Sequence, residues 1–284
     1  MGPYARNGFL VRVTYLTLAL LTYILSGAGR FGRGSVVVLC YHGISQGYRN
    51  AFAWQMSHIA HRTTSPEELR RAPSRRFGAM PRVCVTFDDG FENLLENAVP
   101  VLEQLGVPAM VFIVPANMGT KPRWNMPPGH SEAKERLMDQ VQIEGLVKHR
   151  GIQVGSHTLT HANLTALEMP DLRRELLESK ILLENTLRAP VTAVAFPYGA
   201  CNKAILDAAE FVGYMLACTL EPRLYSSKKD GLRVGRFSMS PGVWPIEFYL
   251  TCAGAYSWLL SWRRLVACGR AFLSALQGSK KAGS

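Results

Sequence analysis

Four short apolar runs, each handing the chain straight to a polar cluster, constrain this sequence more than any other feature. Val36–Cys40 leads into Tyr41-His42-Gly43, and Val83–Phe87 into Asp88-Asp89-Gly90. Ile152–Val154 leads into Gly155-Ser156-His157-Thr158-Leu159-Thr160-His161, and Thr192–Phe196 into Pro197-Tyr198-Gly199. The runs are rich in valine and isoleucine, as strands covered on both faces should be. Ala109–Val114, Tyr214–Cys218 and Leu232–Phe237 read as further strands. Between them lie helical stretches. Leu167 to Leu187 sets Leu172, Leu176, Leu183 and Leu187 on one face with charges opposite. Thr165 and Glu168 form a capping-box pattern at its start. Glu92 to Leu105 stops at Gly106, with a kink or restart imposed by Pro100. Ser131 to His149 gives a third helix. Alternation of this kind predicts an α/β fold with a mainly parallel sheet, open or closed as a barrel. In a parallel barrel all strand C-termini open on one face, so the four polar clusters would converge there.

The clusters carry complementary chemistry. His157 and His161 are four residues apart and would share one face of a helical turn. With Asp89 they offer two imidazoles and one carboxylate, a set that leaves open positions on a metal. A divalent ion acidifies its water and polarises a carbonyl, and the neighbouring Asp88 could take the proton. Each cluster alone has a plainer explanation. Asp-Asp-Gly is a common turn, His42 suits a half-buried core position, and Pro-Tyr-Gly is an ordinary turn. Their joint placement at strand ends carries the argument.

Thr86-Phe87-Asp88-Asp89-Gly90, followed by His157-Thr158-Leu159-Thr160-His161 and Phe196-Pro197-Tyr198-Gly199, resembles the NodB-homology polysaccharide deacetylases, carbohydrate esterase family four. The resemblance extends over residues 36 to 240. It implies a distorted (β/α) barrel of seven or eight parallel strands and removal of an N-acetyl group from an amino sugar in a polysaccharide or lipid-linked glycan. It implies Asp88 as general base, and Asp89, His157 and His161 as ligands of a divalent metal, zinc first. The backbone N–H of Tyr198 would help to hold the oxyanion. Two departures stand out. Ala195 occupies a position where the family often has an arginine that orients the base, and no histidine follows His161. Leu39-Cys40-Tyr41-His42 resembles the leading strand of an exopolysaccharide-type subgroup with permuted motif order, which assigns His42 as general acid. Arg236 is then the substitute for the orienting arginine.

The remaining sequence divides the 284 residues into an N-terminal hydrophobic segment at 1–34, a deacetylase domain at 35–242 and an aromatic, basic helical tail at 243–284. Phe9 to Leu25 is apolar apart from Arg12 and a few hydroxyls. It reads as a signal, an anchor, an interfacial helix or a helix docked on the domain. Trp244 to Leu276 mixes aromatic residues with arginines, which suits a membrane interface or a helix pair packed on the core. The net charge is +11, but the basic residues are dispersed and no nucleic-acid motif is present. The charge therefore favours a membrane surface over nucleic acid. None of the six cysteines forms a C-x-x-C pair, which argues against a cysteine zinc site. Cys40, Cys84 and Cys218 read as small buried hydrophobes. The expected partners are an N-acetylated glycan and a membrane surface. The expected place is the cell envelope, membrane-associated or exported, with the cytoplasmic membrane face and the oligomeric state left open. Two competing functions are a glycan-binding protein of this fold without turnover and a non-haem iron oxygenase. The second aspartate and the tyrosine turn fit hydrolysis better than oxygenation.

Overall fold

The computed structural model describes residues 8–28, 34–70, 80–127, 130–226 and 230–262. In chain order, α1 spans Phe9–Leu25, β1 Val36–Tyr41, α2 Arg49–Ile59, β2 Arg82–Phe87, α3 Asn93–Asn97 and α4 Val99–Leu105. β3 follows at Ala109–Ile113, α5 at Gln140–Leu146, β4 at Ile152–Ser156, α6 at Met169–Leu187, β5 at Ala193–Ala195 and α7 at Lys203–Val212. β6 covers Leu216–Cys218, β7 Arg233–Val234, β8 Phe237–Ser238 and α8 Pro245–Cys252.

The strands form one eight-stranded sheet in the order β7-β6-β5-β4-β3-β2-β1-β8. Every pairing is parallel. β7 and β8 are neighbours in the chain, separated only by Gly235 and Arg236, yet they sit at opposite ends of the sheet. Arg233 and Val234 extend β6, while Phe237 and Ser238 pair with Leu39 and Cys40 of β1. One short segment thus spans the gap between the two edges, and the sheet curls into the distorted (β/α) barrel that the family resemblance implied. The single strand expected over Leu232–Phe237 is therefore two strands. Their junction has no room for a side chain, since a Cβ on Gly235 would lie 2.1 Å from Cγ of Arg223 and 2.7 Å from the carbonyl oxygen of Glu221.

All residues of β1, β2 and β3 are buried. Their two faces separate cleanly by parity, as the period-two pleat requires. Val37, Leu39 and Tyr41 join the outer core with the helices, together with Val83, Val85, Phe87, Val111 and Ile113. Val36, Val38, Cys84, Met110, Phe112, Ala193, Ala195, Cys218 and Val234 form a separate inner cluster. Continuing the inner parity of β2 from Cys84 leads through Thr86 to Asp88. The first aspartate is therefore inward-facing by register alone.

Three local expectations change. The stretch expected as a helix over Ser131–His149 is a 3-10 turn at Ser131–Lys134 followed by extended chain, with α5 starting only at Gln140. Asp139 caps α5 through the Gln142 N–H at 2.8 Å, and Met138 donates to the carbonyl of Gly90 at 2.9 Å. That extended piece braces the Asp-Asp-Gly turn instead of extending a helix. Thr165 does not cap α6. It bonds Asn163 in a preceding 3-10 turn, while α6 begins after Glu168, with Pro170 in the first turn where its missing N–H is not needed. Glu175 and Ser179 lie buried on the same side of α6 as Leu172, Leu176 and Leu183, so the charges are not all opposite the apolar stripe. Pro100 does produce a restart, between α3 and α4, and Gly106 ends α4 in the left-handed conformation with φ 63°. The tail beyond residue 262, Cys268 and the arginines at 30 and 33 lie outside the described residues.

Candidate metal centre and its carboxylate partner

Strand ends β1, β2, β4 and β5 deliver the four clusters to one rim, as parallel topology demands. Asp88 and Asp89 follow β2, His157 follows β4, and Tyr198 sits in a 3-10 turn after β5. His161 is not on a helical turn with His157. Residues 157–163 form a loop in which Thr158 and His161 adopt positive φ, 63° and 65°. Buried Glu175 of α6 holds this loop, accepting from the Thr160 N–H at 2.9 Å and the Thr160 hydroxyl at 2.7 Å. Among the described residues, six non-glycine positions have positive φ, and four of them (Asp89, Thr158, His161 and Tyr198) belong to this site. Such conformations are costly and persist where the surroundings enforce them, as at functional sites. Gly90, at φ 76°, is required by close packing: a Cβ there would come within 2.5 Å of Cδ1 of Ile113.

The two adjacent aspartates differ completely. Asp88 is 2% exposed and held from several sides. Arg236 donates to both of its oxygens, Nη1 to Oδ1 at 2.6 Å and Nη2 to Oδ2 at 2.8 Å. The Cys40 thiol donates to Oδ2 at 3.2 Å. Arg236 is itself buried inside the barrel, where it also donates to the Thr86 hydroxyl and to the Thr219 carbonyl, both at 3.2 Å. Burial alone would push the Asp88 carboxyl up. The Arg236 charge, with those of His157 and His42 and the Arg236 hydrogen bonds, outweighs it and holds the group well below the usual carboxylate range. Arg236 thus stands where the sequence departs at Ala195, whose carbonyl instead accepts from His157 Nδ1 at 2.8 Å.

Asp89 has no such support. Its Oδ1 is buried without a hydrogen-bond partner, 3.5 Å from Nε2 of His157 and 3.4 Å from Nε2 of His161. Burial, reinforced by the charges of Asp88 and Glu132, pushes its carboxyl up to about 7. Burial also lowers His157 to about 4 and His161 to about 2, so both rings are neutral near pH 7. Ligand atoms of Asp89, His157 and His161 all lie within 4.8 Å of one another. Neutral imidazoles, one fixed by its Nδ1 hydrogen bond, and an orphaned carboxylate oxygen are what a divalent cation requires. The residues present fit such an ion.

Around the triad, Trp124 stacks on His161 at 4.1 Å and 20°, and Tyr198 meets the same ring edge-on at 5.0 Å. His42 lies apart from the tight cluster. It is half-buried and lines a cavity of about 410 Å³ together with Tyr48, Asn93, His130, Glu132 and Ser238. Its charge is felt by both aspartates. Glu132 ties the cavity wall to this segment by accepting from the Gly43 N–H at 3.1 Å. Cys40, Trp124, Glu132 and Glu175 are contributions that the sequence motifs did not indicate.

The polysaccharide deacetylase profile matches residues 78–217, which hold both aspartates, both histidines and the tyrosine turn. The chain carries a polysaccharide deacetylase domain. It is a hydrolase of that family. Bacillus subtilis (strain 168) YxkH, itself named for this family, is 28% identical over 220 residues, covering 72% of each chain. A poly-β-1,6-N-acetyl-D-glucosamine N-deacetylase of Staphylococcus epidermidis is 22% identical over 210 residues, covering 73% of this chain and 71% of the relative. Among solved structures, IcaB from Ammonifex degensii superposes with a TM-score of 0.63 at 24% identity, over 78% of this chain and 97% of that one. The Streptococcus pyogenes deacetylase PplD superposes with a TM-score of 0.64 at 21% identity, over 77% and 98%. These superpositions support the deacetylase-like barrel.

Proposed function

We propose that the chain hydrolyses the N-acetyl amide of an amino sugar in a glycan, using a divalent ion, zinc first, held by Asp89, His157 and His161. The observation that carries this reading is the division of labour between adjacent aspartates: one clamped as an anion by Arg236, one left bare between two neutral imidazoles. The ion, when bound, supplies Lewis acidity toward water and the acyl carbonyl. The chain supplies the rest. Asp88 takes the proton of the attacking water, with its oxygens aimed by Arg236 and Cys40. The Tyr198 N–H, fixed by the left-handed turn, donates to the developing oxyanion. His42, on the cavity wall, protonates the leaving nitrogen. A sugar occupies the cavity, whose volume lies in the range of small-molecule sites. The relative that deacetylates poly-β-1,6-N-acetylglucosamine supports an exopolysaccharide of that type as substrate, and the +11 charge supports an envelope location, membrane-associated or exported.

Acetate release from an N-acetylglucosamine oligomer by metal-loaded protein tests the reading. Release is expected to be chelator-sensitive and to fall about 10²–10⁴-fold in Asp88→Asn. Tight glycan binding without release would instead mark a binding protein of the same fold. An unchanged rate in His42→Ala would remove His42 from the mechanism.

A further inference from the structure

α1 packs on α8 but leaves a broad apolar face uncovered. Leu10 and Leu25 are each 80% exposed, and Phe9, Leu21 and Ile24 are half or more exposed. On α8, Ile246 is 45% exposed. The polar groups of α1 tell what this face is made to meet. Its one charged residue, Arg12, does not reach for water. It bonds Glu247 through two nitrogens and lies 3.8 Å from the centre of the Trp244 ring. Thr14, Thr17 and Thr22 turn their hydroxyls back onto the carbonyls of Leu10, Val13 and Leu18, at 3.0, 3.0 and 2.8 Å. The hydroxyls of Tyr23 and Tyr249 bond each other at 2.9 Å. The face thus offers neither charge nor an unsatisfied threonine hydroxyl, an arrangement that water does not require and hydrocarbon does.

α1 has 17 residues, and no helix among the described residues is long and apolar enough to cross a membrane. Arg12 turns toward α8 while the apolar side chains face outward, which suits a helix lying along the bilayer with its outer face in the apolar layer. Charge selects the occupant: an anionic leaflet attracts a chain of net charge +11, whereas a second copy of it is repelled. We propose that the outer face of α1, with the adjoining part of α8, is the surface by which the folded protein lies on an anionic lipid bilayer. The cavity is close by, since Pro241 lines it and only two residues separate Pro241 from Trp244, whose ring meets that of Phe9. A glycan held at the bilayer would therefore be presented to the cavity. That last step rests on the proposed function; the lipid contact does not.

Flotation of the full chain with vesicles of phosphatidylcholine, with and without phosphatidylglycerol, tests the surface. The wild type is expected to float with phosphatidylglycerol vesicles and to remain partly bound at high salt. Leu10→Glu/Leu21→Glu/Ile24→Glu is expected to lower partitioning on the order of tenfold or more, while acetate release from a soluble oligomer and the melting temperature stay unchanged. If the triple variant does not fold, Thr17→Lys serves the same purpose with one change. A variant that floats like the wild type overturns the proposal, as does a wild type that binds neither vesicle or is released entirely by salt. A wild type that sediments as a dimer, with a monomeric variant and no flotation of either, would make the face a contact between copies. Flotation without any deacetylation would remove the proposed function and leave this surface standing.

Discussion

Two arginines in this molecule grip carboxylates far away in the chain, and they serve opposite ends. Arg236 reaches Asp88 across 148 residues, and Arg12 reaches Glu247 across 235. Both contacts are two-pronged, and both take charge out of water. Arg236 lies wholly inside the barrel, and its partner lies beside the candidate metal triad, 3.9 Å from His157. Arg12 lies at the flank with its side chain 17% exposed, and its partner also accepts from the Trp244 N–H at the start of α8. A buried ion pair adds little net stability over an apolar replacement of the same shape, so its use lies in what it positions. One pair positions an atom for chemistry, and the other positions a helix.

Arg236→Met should break the comparison most strongly. It strands Asp88 as an uncompensated buried charge, at a cost of about 3–5 kcal/mol. Thermal unfolding should show the loss, and the acid limb of the pH–rate profile should move toward neutral because Asp88 no longer has its cation. A variant that kept wild-type stability and an unmoved acid limb would show that Arg236 does not hold the base.

Next in size is the metal-free protein. Between pH about 4 and 6.5 the unfolded chain carries protons on His157 and His161 that the folded chain refuses, while folded Asp89 carries one that the unfolded chain lacks. Two against one, stability should rise with pH across that window. Asp89→Asn should steepen the rise by removing the opposing group. Added metal should stabilise by about 2.7 kcal/mol at a hundredfold excess over its Kd, and calorimetry with and without chelator reads both effects. A flat profile in the metal-free chain would contradict the burial argument for the two imidazoles.

Glu247→Gln should be milder, about 1.5–3 kcal/mol in unfolding free energy, with acetate release from a soluble oligomer unchanged. A fall in turnover there would blur the distinction between the two pairs. The smallest effect belongs to Cys40→Ala, which removes one weak donor from Asp88 at about 1 kcal/mol. It should slow acetate release a few-fold, with partial rescue in Cys40→Ser.

The comparison also explains how much was readable from residues alone. The strand-then-cluster pattern carried the parallel sheet and the convergence of the clusters, with Asp89, His157 and His161 among them, because parallel topology fixes where strand ends point; the barrel itself came from the resemblance to the deacetylase family. Parity did more: Cys84, Thr86 and Asp88 share the inner face, so the aspartate's direction was legible without any motif. Arg236 was legible, through the family resemblance, as a substitute for the orienting arginine missing at Ala195. Its two-ended pairing was not, since only the closed sheet sets β7 and β8 on opposite edges. Cys40 needed the β1–β2 register, in which it lies opposite Thr86. Glu175 left a faint signal, an acidic residue three positions after Leu172 on the buried stripe of α6. Trp124 left none, because it comes from a segment with no periodicity. The Thr165–Glu168 pattern misled for a local reason: Asn163 competes for the threonine, and Pro170 sets where α6 begins.

The split segment at 233–238 has a consequence for how the protein is made. The chain emerges from the ribosome with Asp88 early and Arg236 late, so the carboxylate lacks its two-pronged cation until the end of the barrel has been made. β1 likewise waits for Phe237 and Ser238 before its second edge is paired. Synthesis must therefore proceed almost to the end of the barrel before either event is possible, and both then occur with the docking of one hexapeptide. Contacts of such long sequence separation form slowly. A ribosome-stalled chain ending before residue 233 should stay open, sensitive to protease and inactive, however complete its motifs.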